Sequence, residues 1–200
     1  MHRSVLGYFL PMSPSAVDPE STLLASKFTV RQYREALARK DRDSIAEAIR
    51  RRFTERYIDP ALTATKKHGF TQMAIACLMV EALESLLQGR KRSISPNEKS
   101  FTDFLNREPE FAALKGRGSE FFTNVRCGIL HQAETTRGWR ILRSGELFDG
   151  DRTLNAVKFI RALQHVLNKH CDELKRVNWG DRRWNAARRK IGNICDNCRP

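Results

Sequence analysis

The stretch Thr71–Gln88 constrains the fold more than any other part of this chain. Its apolar residues occupy nearly every side of a regular helix until Glu81 and Glu84 interrupt them. A helix without a broad polar face has to be surrounded by other elements, so this one is expected to be the central rod of a helical bundle. Its uninterrupted apolar run, Met73–Val80, is too short to cross a bilayer.

Around the rod, apolar residues at four-residue steps predict further helices. Thr29 is placed to cap a short one with Val30, Tyr33 and Leu37 on one side. Asp43 is placed to cap another that runs to Ile58, with Ile45, Ile49, Phe53 and Tyr57 on a shared face and Pro60 at its end. Lys66, Lys67, His68 and Gly69 break the pattern before the rod, and Gly89 stops the rod. Residues 90–99 read as a basic, polar loop. Ser100 can cap a helix through Leu105, Pro109 opens a brief helical piece with Phe111 and Leu114, and Ser119 caps Glu120–Ala133. Residues 153–175 form a long amphipathic helix with Val157, Ile160, Leu163, Leu167, Cys171 and Leu174 inward. Trp139, Ile141, Leu142, Leu147 and Phe148, with Ser144 and Gly145 between them, suggest a small β-hairpin or extended arm near 138–148. The expected fold class is therefore all-α: a helical bundle over 28–175, a loosely ordered, proline-bearing lead-in over 1–27, and a basic tail over 176–200.

Charge narrows the function. Thirty-six Lys and Arg against 23 Asp and Glu give a net charge of +13, which favours polyanions through counterion release. The run Arg50, Arg51 and Arg52, and the pair Arg182 and Arg183, are candidates for contacting nucleic-acid phosphates. The C-terminal segment interleaves its cations with Trp179 and Trp184, which suits either base stacking or packing onto the bundle. Five cysteines make an odd count and argue against a disulfide framework. Cys195 and Cys198 form a lone C-x2-C with no second pair, short of the four ligands of a structural zinc unless His170 and Cys171 complete it. No metal or cofactor is expected. The first ten residues have a faint signal-peptide look but no clear small-residue cleavage site, so the chain is read as cytoplasmic.

The segment Phe121–Glu134 carries the most chemistry. Phe121, Val125 and Ile129 form an apolar row; Phe122, Arg126 and Leu130 form the next, so Arg126 interrupts an apolar face. A cation so placed needs an anionic partner, and Glu81 and Glu84 of the central rod are the natural candidates. Asn124, Gly128 and Gln132 form a small polar row that would let another helix come close. Arg126 and His131 are five positions apart, about 140° on a regular helix, so their side chains should diverge unless the helix loosens. Two copies meeting across a twofold axis would bring both pairs into one cleft. Arginine binds phosphate and stabilises developing charge, while histidine moves protons near physiological pH, a combination that suits metal-free phosphodiester cleavage.

The string Arg126-Cys127-Gly128-Ile129-Leu130-His131, late in an all-helical chain, resembles the R-x4-6-H motif of the HEPN superfamily. The order of parts over roughly residues 70–175 is also similar: an acidic central helix, a linker, the motif helix and a closing helix. The resemblance implies a bundle that dimerises through the motif helices and, in many members, a metal-independent endoribonuclease of phage defence, toxin–antitoxin pairs or RNA processing, leaving 2′,3′-cyclic phosphate ends. By motif match Arg126 would bind the scissile phosphate, His131 would be the general acid or base, and Glu81 or Glu84 would hold Arg126. The chain departs from the family at Cys127, where active members commonly carry Asn, Asp or His. The expected function is thus a homodimeric endoribonuclease acting on RNA, in the toxin reading silenced by an acidic antitoxin. The alternative is an RNA-binding or assembly module that does not cut.

Overall fold

The structure is a computed structural model that describes residues 18–63, 68–91 and 98–198. The signal-like start, Lys66, Lys67 and most of the 90–99 loop lie outside the described residues. A 3-10 turn, Pro19–Ser21, leads into β1 (Leu23–Ala25), which pairs antiparallel with β2 (Phe28–Thr29). The part of the lead-in over 18–27 is therefore folded, and Leu24 and Ala25 are buried in the core. The bundle follows: α1 (Val30–Ala38), α2 (Arg42–Phe53), a π-helical turn (Thr54–Ile58), α3 (Asp59–Leu62), α4 (Gly69–Leu87), α5 (Glu98–Arg107), a 3-10 turn (Pro109–Leu114) and α6 (Gly118–Phe121). A second π-helical stretch (Phe122–Cys127) joins α6 to α7 (Gly128–Gln132). Then come β3 (Arg140–Leu142), β4 (Thr153–Asn155), α8 (Ala156–Arg176) and α9 (Arg182–Asp196). The class is all-α, as the periodicity predicts.

The local rules explain most boundaries. Thr29 caps α1 in a full capping box with Gln32. Asp41, two residues earlier than expected, caps α2 by accepting from the Ser44 N–H. Ser100 does not cap α5. It lies inside the helix, buried, and its hydroxyl accepts from Arg90 Nη1 at 2.7 Å. The arm expected near 138–148 is present, but the strand partner of β3 is β4, in parallel register, and Phe148 adds a single antiparallel bridge to Leu154.

The central rod is α4, packed against α8, α9, α5 and α3. By length and composition it could span a membrane; in this fold more than half of it is buried among those helices. Gly89 ends it at φ +62°, and a Cβ there would meet the Ala186 backbone at 2.6 Å, so close approach of α9 requires glycine twice over. In the core Phe159 stacks on Phe121 at a centroid distance of 5.3 Å and meets Phe111 in a tilted contact at 4.7 Å. The basic segment after residue 175 is in large part not a tail. Trp184 of α9 is fully buried and donates its indole N–H to the Leu174 carbonyl at 2.9 Å, while the Trp179 ring packs against it at a tilt. That burial contributes on the order of 2–3 kcal/mol, enough to make α9 part of the bundle.

Candidate active site on the π-distorted helix

The motif helix departs from regular geometry where the candidate residues sit. Asn124 is buried, and its side-chain amide donates to the Glu120 carbonyl at 2.9 Å. An α-helix would offer that carbonyl to the Asn124 N–H. A side chain inserted into the ladder in this way loosens it, and the turn over Phe122–Cys127 widens to i→i+5 bonding. Arg126 lies one residue before the end of this stretch, and His131 lies in the regular α turn that follows it. The side chains of Arg126 and His131 meet within a single chain: Arg126 Nη1 lies 3.4 Å from His131 Nε2. The expectation that the two side chains diverge is corrected. A guanidinium only donates, so this contact is favourable when the Nε2 lone pair faces Arg126 and the ring proton sits on Nδ1.

The small row of Asn124 and Gly128 receives the chain's own return. Ala133 turns left-handed at φ +55°, Thr136 N–H donates to the Asn124 carbonyl at 2.9 Å, and Thr136 Oγ1 bonds Asn124 Oδ1 at 2.8 Å. A Cβ on Gly128 would meet the Glu134 carbonyl oxygen at 2.5 Å, so only glycine admits the returning strand there.

Arg126 is held from behind. Its Nε donates to Glu81 Oε1 at 2.9 Å, and its guanidinium carbon sits 5.5 Å from the centre of the Phe122 ring. Its side chain is 11% exposed and that of Glu81 17%. Burial by itself would ease deprotonation of Arg126, but the Glu81 carboxylate outweighs it and holds the pKa above the ordinary arginine value. Cys127 Sγ stands 3.9 Å from Nη1. His131 is exposed, so the pair sits at the surface with only its arginine sunk into the fold. Glu84 does not take part. It is buried one turn further along α4 and pairs with Arg107 at 2.7 Å, with Glu108 on the other side of that guanidinium at 2.8 Å. No family model, curated protein or solved structure matches this chain.

Beside Glu81 a cleft of about 370 Å³ opens between the first π turn, α4 and α9, with Arg56, Tyr57, Leu78 and Lys190 on its walls. Of the basic candidates, Arg52 alone reaches this cleft, and its guanidinium is committed to the Leu24 carbonyl at 2.6 Å. Burial brings the pKa of Arg52 down to about 10. Arg51 donates to the Ser26 carbonyl at 2.9 Å, and Arg50 to Asn168 at 2.9 Å and Asp172 at 2.6 Å. All three tie α2 to β1, to the turn that follows it, or to α8. Arg183 pairs with Glu173 at 3.2 Å and Asp181 at 3.3 Å. Arg182 is exposed, on a different face from Arg126. Cys195 is buried in α9, where burial lifts its thiol pKa to about 11. Among the described residues no three His, Cys, Asp or Glu side chains gather as a metal would need.

Proposed function

We propose that this protein binds RNA and cleaves it by the metal-independent chemistry of the HEPN type, with Arg126 and His131 acting on one phosphodiester. The supporting observation is the 3.4 Å approach of the Arg126 guanidinium to the His131 imidazole, backed by Glu81. A phosphate entering between them meets a fixed cation for its non-bridging oxygens and a base for the ribose 2′-hydroxyl. His131 Nε2 takes the 2′-proton, the 2′-oxygen bonds to phosphorus, and the 5′-oxygen leaves with a proton from water or from the histidine of a second copy. The products are a 2′,3′-cyclic phosphate and a 5′-hydroxyl. The +13 charge and the cleft beside Glu81, with Arg56 and Lys190 as cations and Tyr57 as a stacking surface, suit the flanking nucleotides.

The deciding experiment is incubation of labelled single-stranded RNA with the full chain in EDTA. Cleavage is expected to persist there and to fall about 10²–10³-fold in Arg126→Ala and in His131→Ala. The 11% exposure of Arg126 favours a second reading, in which the ion pair is structural and the surface binds RNA without cutting it. Undiminished RNA binding by both variants, with no cutting by the wild type, would select that reading. Leu78 and Leu130, 46% and 38% exposed, flank the site on α4 and α7 and offer apolar surface to a homodimer, whose mass light scattering would read.

A further inference from the structure

A cavity of about 480 Å³ lies between the end of α4, α5, α8 and the first turns of α9, and it shares no residue with the Arg126–His131 site. Its volume is that of a small-molecule pocket, about 300–1,000 Å³. Its charges are unevenly answered. The two carboxylates in the wall are already paired, Glu108 with Arg107 at 2.8 Å and Glu173 with Arg183 at 3.2 Å. Three further cations have no carboxylate partner among the described residues. Lys169 and Arg182 are exposed and make no ion pair, and Arg189 spends its guanidinium on the Gly89 and Gln88 carbonyls at 2.6 and 3.1 Å. Dipoles of two carbonyls do not neutralise a guanidinium, so positive charge converges on this space.

A second observation is independent of those charges. His170 lines the same cavity, is 6% exposed, and its Nε2 is buried with no hydrogen-bond partner. Burial, with Arg183 and Arg107 nearby, lowers its pKa to about 4, so the ring is neutral and carries one proton for a hydrogen bond. Leaving a buried polar atom unpaired is costly, and such atoms in native folds mark places where a partner arrives. Leu87 and Val166 supply an apolar wall beside it.

We infer that this cavity is a binding site for a phosphorylated small molecule, a phosphomonoester with an uncharged body, whose phosphate sits on Lys169, Arg182 and Arg189 and whose polar body pairs with His170. The probe is adenosine 5′-monophosphate, titrated calorimetrically into the full chain at low salt, with adenosine alone as the comparison. Binding of the nucleotide is expected, with adenosine weaker by about tenfold or more and the Lys169→Ala, Arg182→Ala double variant losing a similar factor. Both residues are exposed on helices, so that variant keeps the bundle. In a histidine-selective nitrogen NMR spectrum the nucleotide should shift the His170 ring nitrogens, and Arg126→Ala should bind it as the wild type does. Absence of binding, equal binding of adenosine, an unmoved His170 signal, or loss of binding in Arg126→Ala would each overturn the assignment.

Discussion

At the scale of single residues, two groups convert burial into measurable behaviour. Glu81 neutralises a guanidinium that is only 11% exposed, so Glu81→Gln keeps the shape and removes the charge. The expected cost is about 1–3 kcal/mol in urea denaturation, with a parallel loss of RNA cleavage because Arg126 is no longer anchored. His170 has an ordinary value of 6.5 and a folded value of about 4. Below 6.5 the unfolded chain takes up a proton that the folded chain refuses. The contribution is thus complete above 6.5 and is lost as pH falls toward 4, amounting to about 2 kcal/mol between pH 7 and pH 5. Urea midpoints at those two pH values should differ accordingly, and His170→Gln should flatten the difference.

At the scale of elements, the bundle was readable because each helix repeats its apolar residues at the period its own backbone imposes. Ile45, Ile49 and Phe53 on α2, and Ile160, Leu163 and Leu167 on α8, are all buried where their spacing put them. The convergence of Arg126 with His131 was not readable, because it depends on how two side chains reach toward each other and not on any repeat of residues. Nor does any repeat encode the π stretch that carries Arg126, where one side chain, Asn124, reaches back to Glu120. Deleting exposed Thr123 should let the π stretch revert to α geometry. Helicity by circular dichroism should then be retained while cleavage falls about 10²-fold or more, since a small misplacement of a catalytic pair is that expensive. Gly128→Ala attacks the same element from the other side. Its Cβ would press on the Glu134 carbonyl, and a cost of about 1–3 kcal/mol in stability is expected from thermal unfolding.

At the scale of the whole molecule, the C-terminal segment shows how composition can hide a pattern. Trp184, Ala187, Ile191 and Cys195 recur at helical spacing and all are buried. The five cations of α9 dominate its composition and made the segment read as a solvated tail. Trp184→Ala should cost about 3–5 kcal/mol in chemical denaturation, a loss no tail residue would produce. The paired acids were half legible: a partner for Arg126 on the central rod was foreseeable from charge, but the division of labour between Glu81 and Glu84 depends on where α5 delivers Arg107. Finally, the bond from Arg126 Nε to Glu81 dictates a direction of approach. A guanidinium has one fork along its side, which includes Nε, and another at its tip. With the side fork closed by the acid, an oxyanion can dock in two-pronged fashion only at the tip, and the tip is the edge where the imidazole waits.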